Sequence, residues 1–183
     1  LDAILGIAPI DGGATTVLVA RNNGDRTFAP MNDVFPGVAA GTFGRADAHD
    51  VDQGNDLDFV FPSGGGATAF LNKRVDGFAA LPLPREVVAE GATIVRVEDL
   101  DADGAPDLFT AGSKGFVVAR NADAFGAPIA FRLRDAKATV VAGGVGDGVF
   151  EDVDADGDFD AILATGRGFV VARNRDGGTF ALD

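Results

Sequence analysis

Three short acidic loops carry the residues most able to do chemistry in this chain. The segments "HDVDQGNDLDFVF" (49–61), "EDLDADGAPDLFT" (98–110) and "EDVDADGDFDAIL" (151–163) align without gaps. Counted from the first aspartate of each loop, the last two segments carry aspartates at positions 1, 3, 5 and 9 and a glycine at position 6. Carboxylates this close repel one another unless water or a cation lies between them. The spacing therefore calls for a physical cause.

Calcium is the cation that this pattern favours. Ca²⁺ takes about six to eight oxygen ligands, and a loop can supply carboxylates from positions 1, 3 and 5 and a backbone carbonyl from position 7 when glycine at position 6 allows the sharp turn. An aspartate at position 9, entering the next strand, completes the site. The predicted ligands of the two complete loops are Asp99, Asp101, Asp103, Ala105 (through its carbonyl) and Asp107, and Asp152, Asp154, Asp156, Asp158 and Asp160.

The loop at 49–61 departs from this pattern. Gly54 stands at position 5 and Asn55 at position 6, so a carboxylate and the turn glycine are both missing. The predicted cofactor is therefore Ca²⁺ at two strong sites and at this third, weaker one. A truncated copy of the motif, "LDAILG", opens the chain and retains only Asp2. The predicted ligands of the weaker site are Asp50, Asp52, Asp56 (through its carbonyl) and Asp58.

The alternative is that aspartate and glycine merely form Asx turns between strands. Two complete copies and one partial copy of the same spacing favour the metal interpretation over the turn. Zinc is disfavoured, because the chain has no cysteine and His49 is its one histidine. His49 itself is expected to be a solvated loop residue beside Asp50.

A second shared element follows each acidic segment and makes the chain a repeat protein. "TTVLVARNNGDRTF" (15–28), "ATAFLNKRVDGF" (67–78), "GFVVARNADAFG" (115–126) and "GFVVARNRDGGTF" (168–180) recur with a period of about 50 residues. The repeats are predicted at approximately 1–39, 40–90, 91–139 and 140–183, together forming one repeat domain over 1–183. In the third repeat, strands are predicted near 92–99, 106–112, 115–121 and 128–134, whereas no segment has a helical pattern.

The predicted fold class is all-β, built from four-stranded antiparallel meanders. Such sheets at this period are typical of β-propeller blades, in which each sheet is covered on both faces by its neighbours. This explains uninterrupted apolar runs such as "FVVA". We expect both terminal blades to be incomplete and the chain to be an arc of a larger propeller, with a small four-bladed ring and a β-solenoid as the alternatives.

Charge and composition narrow the range of partners. The chain has 28 acidic and 15 basic residues and a net charge of −13, which argues against nucleic acid or an anionic membrane surface as a partner. Disulfides are excluded because cysteine is absent.

No apolar run reaches the roughly 20 residues of a membrane helix, so direct membrane insertion is not expected. Because Leu1 follows neither an initiator methionine nor a signal peptide, we expect a processed or excised piece of a longer chain.

Other motifs give weaker signals. "AGGVGDGVF" (142–150) is similar to a dinucleotide-binding turn but leads into a strand instead of a helix, and "PSGGGATAF" lacks the lysine of a phosphate-binding loop. Nucleophilic catalysis has neither cysteine nor a G-x-S-x-G motif to use. Glu86, Glu90, Glu98 and Glu151 leave glycosidic chemistry open. Glu98 and Glu151 directly precede acidic loops, however, and are expected to cap those loops or to repel their carboxylates.

The loop "DLDADGAPDLF" followed by "GFVVARN", together with "RNNGDRTF" and "RNRDGGTF", resembles the FG-GAP/VCBS repeats of integrin-α-like β-propellers. The resemblance covers essentially the whole chain. It implies a full domain of about seven blades, calcium in the loop between the first two strands of a blade, and an extracellular, cell-surface or periplasmic location. Family members act in adhesion, carbohydrate contact, assembly and, in some cases, polysaccharide chemistry.

The sequence therefore predicts a non-catalytic, calcium-binding module for extracellular protein or glycan binding, which could also be a subunit of a larger assembly. The predicted partner is a protein or carbohydrate ligand, and no catalytic residue is assigned. The alternative prediction is that the chain forms part of a propeller-fold polysaccharide lyase or hydrolase.

Overall fold

The protein is all-β, as predicted, in a computed structural model that describes residues 3–7, 16–31, 34–35, 44–63, 66–121, 133–175 and 177–183. The acidic copy around Asp2 lies outside these residues. The described chain forms four antiparallel sheets, in each of which the strands neighbour one another in chain order. The only helical segments among the described residues are two 3₁₀ turns, Arg74–Asp76 and Arg85–Val87.

The first sheet has three described strands and the others have four. The first contains β1 (Ala3–Ile7), β2 (Thr16–Asn22) and β3 (Phe28–Met31), and the second β4 (Asp47–His49), β5 (Asp58–Ser63), β6 (Gly66–Asn72) and β7 (Phe78–Pro82). The third contains β8 (Ile94–Glu98), β9 (Asp107–Gly112), β10 (Gly115–Asn121) and β11 (Leu133–Val140), and the fourth β12 (Asp147–Glu151), β13 (Asp160–Thr165), β14 (Gly168–Asn174) and β15 (Phe180–Leu182).

The third sheet tests the strand predictions most directly. Its first three strands lie where they were expected, but the fourth, predicted to end at 134, continues to Val140, and its described part begins at Leu133. Residues 128–132 lie outside the described residues. The strand continues because Lys137, Ala138 and Thr139 pair in register with Val118, Val117 and Phe116. Backbone pairing of this outer strand tolerates a lysine within it.

The sheets pack face to face, so that the middle two are buried on both sides. Val60 and Ala69 of the second sheet share one apolar cluster with Val95, Leu108 and Val117 of the third. The opposite face of the third sheet packs on the fourth through a second cluster, in which Phe109, Phe116, Ala161, Leu163 and Ala172 take part. Two-sided burial explains the uninterrupted apolar runs, because both sets of alternating side chains contact a neighbouring sheet.

One face of the fourth sheet points away from the third sheet, and it is more exposed than the equivalent face of the third sheet. Phe169 stands at the repeat position of Phe116, one residue into the third strand of the sheet. Phe116 is 2% exposed whereas Phe169 is 82% exposed. The same repeat position is therefore a core position in the third sheet and a surface position in the fourth.

The three acidic loops all connect the first strand of a sheet to the second. They join β4 to β5, β8 to β9 and β12 to β13, so they lie at equivalent ends of three sheets. Among the described residues, no helix has the length and apolar character needed to cross a membrane.

Candidate functional site: three carboxylate clusters

Each acidic loop folds into a cluster of three carboxylates, contributed by positions 1, 3 and 9. In each cluster, one oxygen per side chain lies within 4.8 Å of the others. The position 9 aspartate starts the second strand and is 0% exposed in all three loops. The clusters are Asp50, Asp52 and Asp58; Asp99, Asp101 and Asp107; and Asp152, Asp154 and Asp160.

The position 9 aspartate is held by two backbone N–H groups, one from its own loop and one from the end of the third strand of its sheet. Oδ2 of Asp107 accepts the N–H of Leu100 at 3.0 Å, and its Oδ1 accepts the N–H of Asn121 at 2.8 Å. The same two bonds recur in the other loops, from Val51 and Asn72 to Asp58 and from Val153 and Asn174 to Asp160. Each buried carboxylate thus ties its loop to the end of the third strand of its sheet.

The position 1 aspartate closes the turn. Asp99 accepts the N–H groups of Asp103 at 3.1 Å and Gly104 at 2.9 Å, and the equivalent bonds are made to Asp50 and Asp152. This turn requires left-handed backbone at positions 4 and 6, where φ is 56° at Ala102 and 88° at Gly104. The second loop adopts it with Gln53 and Asn55, at φ of 55° and 59°.

Position 5 was predicted to supply a carboxylate and position 7 a backbone carbonyl, and neither adds a side chain to the clusters. Oδ1 of Asp103 accepts the N–H of Ala105 at 2.8 Å, and Oδ1 of Asp156 accepts the N–H of Asp158 at 3.0 Å. In the second loop, Asp56 pairs with Nε of Arg74 at 2.9 Å. The structure therefore brings together nine of the predicted residues and directs the side chains of Asp56, Asp103 and Asp156 elsewhere.

A basic side chain pairs with the position 3 aspartate of every cluster, which the sequence analysis missed. Nζ of Lys73 lies 3.2 Å from Asp52, Nε of Arg120 lies 3.5 Å from Asp101, and Nη1 of Arg173 lies 2.7 Å from Asp154. The signal was present in the sequence, because each of these residues adjoins the asparagine that ends the third strand, in "LNK" and twice in "ARN". Each cluster thus already has at least one positive neighbour, and Asp154 has a second in Arg175 at 4.0 Å.

Burial perturbs the carboxylates of two clusters. Loss of hydration raises the pKa of Asp107 to about 6 and also raises the pKa values of Asp58 and Asp101 above their usual range. Nearby carboxylates act in the same direction, while backbone N–H bonds oppose the shift. A cation at the cluster would favour the ionised carboxylates.

The donor set fits calcium. Two oxygens that bind one Ca²⁺ at about 2.4 Å each can lie no more than about 4.8 Å apart, which is the limit that each cluster meets. All the ligands brought together are hard carboxylate oxygens, the type that Ca²⁺ and Mg²⁺ prefer. Three carboxylates leave positions for water or carbonyl oxygens.

A cleft of about 470 Å³ lies beside the loops, along the first strands of the second, third and fourth sheets. His49, Glu98 and Glu151 line it, each immediately before the first aspartate of its loop. His49 is thus a half-buried residue at the end of β4, not the solvated loop residue that was expected. The two glutamates face the same cleft, which single-loop reasoning could not reveal.

Charges at the other end of the cleft are paired. Nη1 of Arg96 lies 3.3 Å from Asp47, whose other oxygen accepts the N–H of Val97 at 2.8 Å. Arg45, which lies just before β4, forms an ion pair of 3.0 Å with Asp147 at the start of β12. The N–H of Gly148, together with Arg45, holds the pKa of Asp147 below its usual value.

Comparison with known proteins gives a fold and no family. No family model matches the chain. No curated protein matches it either. Among solved structures, the chain is similar to a lectin from Agrocybe aegerita, described for its specific recognition of non-reducing terminal N-acetylglucosamine, with a TM-score of 0.57 and 20% identity. The match covers 100% of this chain and 52% of the lectin, so the chain spans about half its length. The likeness shows a shared fold.

Proposed function

We propose that this chain is a calcium-stabilised carbohydrate-binding module. The observation that carries the proposal is the threefold recurrence of one carboxylate cluster with one hydrogen-bonding scheme, at equivalent loops of three sheets. An Asx turn requires only one aspartate, so it does not explain why three carboxylates lie within 4.8 Å of one another. Binding of Ca²⁺ to a cluster that exists only in the folded chain adds its binding free energy to stability.

The proposal includes a β-propeller architecture. Successive sheets pack face to face, and their first strands lie side by side, with a parallel bridge between Arg45 and Ile94. The ion pair between Arg45, just before β4, and Asp147, at the start of β12, supports convergence of these strands towards one axis. Membership of the FG-GAP/VCBS repeats, and calcium in their inter-strand loops, belong to the same proposal.

Carbohydrate is the ligand class that the comparison supports. The solved lectin is described as recognising a terminal sugar, and a shared all-β fold is consistent with a similar role here. An extracellular, cell-surface or periplasmic location is part of the proposal, since calcium concentrations outside the cytoplasm suit loops of modest affinity. Protein ligands and membership of a larger assembly remain predictions from the sequence.

Two measurements test the proposal. Thermal melts of the chelated chain, followed by separate additions of Ca²⁺ and Mg²⁺, should show a Tm that rises with Ca²⁺ at concentrations where Mg²⁺ has little effect. Asp152→Asn with Asp154→Asn should reduce the rise, while Asp76→Asn, an exposed aspartate in a 3₁₀ turn, should not. A flat response would refute the calcium part.

A saccharide array probed with the labelled chain in Ca²⁺ tests the carbohydrate-binding part of the proposal. The absence of binding to any saccharide would refute that part.

The enzymatic alternative has its own discriminator. A polysaccharide lyase or hydrolase would release unsaturated or reducing sugar ends from acidic polysaccharides. Saccharide binding without such release favours the binding module.

A further inference from the structure

The cleft along β4, β8 and β12 presents three polar side chains that no group among the described residues pairs with. His49, Glu98 and Glu151 occupy one repeat position on three adjacent sheets and line a volume of about 470 Å³, which is within the range of small-ligand sites. Within the part of the chain that the structure describes, none of the three forms an ion pair or a side-chain hydrogen bond. These groups are therefore open to a ligand.

The charge of the cleft is unbalanced. Arg96 and Asp47 neutralise each other, as do Arg45 and Asp147 at the same end. The carboxylates of Glu98 and Glu151 face no such counter-charge among the described residues, so the cleft carries an excess of negative charge. An uncompensated pair of carboxylates in a cleft attracts cationic ligands and raises their local concentration.

We propose that this cleft binds saccharides that carry a free ammonium group, such as glucosamine oligomers. The inference rests on the proposed carbohydrate-binding function and names its site and ligand class. The ammonium donates hydrogen bonds to Glu98 and Glu151, and charge-assisted bonds of this kind are stronger than neutral ones. His49 can exchange a hydrogen bond with a ring hydroxyl, because neutral imidazole has both a donor and an acceptor. N-acetylation removes the positive charge and with it the main attraction.

Calorimetric titration of the full chain in Ca²⁺ tests the inference, at a pH where the amine is protonated. The probes are the trimer of glucosamine, the trimer of N-acetylglucosamine and trilysine. We expect the glucosamine trimer to bind at least about fivefold more tightly than the acetylated trimer, the factor expected for one or two partly exposed charge pairs. Glu98→Gln with Glu151→Gln should abolish this preference.

Two controls isolate the cleft. Glu86→Gln removes one exposed carboxylate from a 3₁₀ turn and should leave the preference intact. Glu98→Gln and Glu151→Gln are nearly isosteric, and an unchanged Tm in Ca²⁺ establishes that the variant is folded. Raising the ionic strength from about 0.05 M to about 0.5 M should weaken glucosamine binding selectively, because salt screens exposed charges.

The possible outcomes distinguish failure of this inference from failure of the proposed carbohydrate-binding function. Equal or tighter binding of the acetylated trimer overturns the inference, as does a preference that survives in the double variant. Binding of trilysine without either sugar also overturns it and assigns the cleft to basic protein side chains. If neither trimer binds but other saccharides on the array do, the inference fails and the proposed function stands. If no saccharide binds, both fail.

Discussion

The carboxylate of Asp107 accepts the backbone N–H of Asn121 at 2.8 Å, and this bond ties the start of β9 to the end of β10. The equivalent bonds, from Asn72 to Asp58 at 2.7 Å and from Asn174 to Asp160 at 2.8 Å, give each repeat the same connection. The buried aspartate therefore has two roles. It satisfies backbone donors at the loop, and it is the innermost member of the carboxylate cluster.

The first role predicts a cost of losing Asp107 even without metal. Asp107→Ala leaves the buried N–H groups of Leu100 and Asn121 without an acceptor, so it should lower the free energy of unfolding by about 2–4 kcal/mol in the presence of a chelator. Asp103→Ala, in the same loop but exposed, should cost about 1 kcal/mol or less. Urea unfolding of the chelated variants measures both, and equal costs would contradict the assignment.

The basic partners of the clusters give a second prediction. Lys73 lies 3.2 Å from Asp52 and repels a divalent cation at the second loop. Lys73→Met should therefore raise the Ca²⁺ affinity of this loop by about fivefold or more, the factor expected for removing one nearby positive charge. Lys114→Met is the matched control, since Lys114 pairs with Glu90.

An NMR titration with Ca²⁺ measures the affinity of the second loop specifically. The signals to follow are the amide resonances of Gly54 and Asn55, whose N–H groups donate to Asp50. An unchanged affinity in Lys73→Met would contradict the prediction, and a lower affinity would show that the lysine holds Asp52 in place for the metal instead of competing with it.

The fold was largely predictable because the repeat fixes it locally. Apolar runs such as "GFVVARN" and the Gly-Asp turns specify strands and loops wherever they recur, and β10 and β14 begin and end where this motif does. The end of the fourth strand of the third sheet was predicted too early, because "RDAKATV" carries no local signal that extends the strand to Val140. Pairing with β10 decides its position, and that information lies elsewhere in the chain.

The candidate site was predictable to the extent that it is local. Positions 1, 3 and 9 of each loop were identified and are brought together. Spacing alone could not reveal that Asp103 turns to the N–H of Ala105, or that Arg173 reaches Asp154 from another strand. Nor could it reveal the cleft, because His49, Glu98 and Glu151 become neighbours only when three sheets pack together.

The unequal surroundings of Phe116 and Phe169 give a third prediction. Phe116→Ala should lower the free energy of unfolding by about 3–5 kcal/mol, because the side chain is 2% exposed and packs on the rings of Phe109 and Phe180. Phe169→Ala, at the equivalent position but 82% exposed, should cost about 0.5 kcal/mol or less. Urea unfolding of the two variants compares them directly. A large cost at Phe169 would mean that another surface covers this face in solution.

The ion pair between Arg45 and Asp147 gives the last prediction, on pH. The pKa of Asp147 is lowered first by the N–H of Gly148 and then by Arg45. A carboxyl whose pKa is lower in the folded state stabilises that state above its unfolded pKa, near 3.8, and loses this contribution as the pH falls through the folded pKa. The side chains are 48% and 63% exposed, so the stabilisation is small and the pKa itself is the better observable.

Titration of the Asp147 carboxyl by NMR should therefore give a pKa below 3.8 in the wild-type protein. Arg45→Gln should raise that pKa only in part, because the bond of 2.8 Å from the N–H of Gly148 remains. Raised ionic strength should likewise reverse only the part due to the guanidinium, since salt screens the ion pair more than it weakens the hydrogen bond. A complete return to the ordinary value in Arg45→Gln would assign the whole shift to the ion pair, and an unchanged pKa would show that Arg45 does not hold Asp147 in solution.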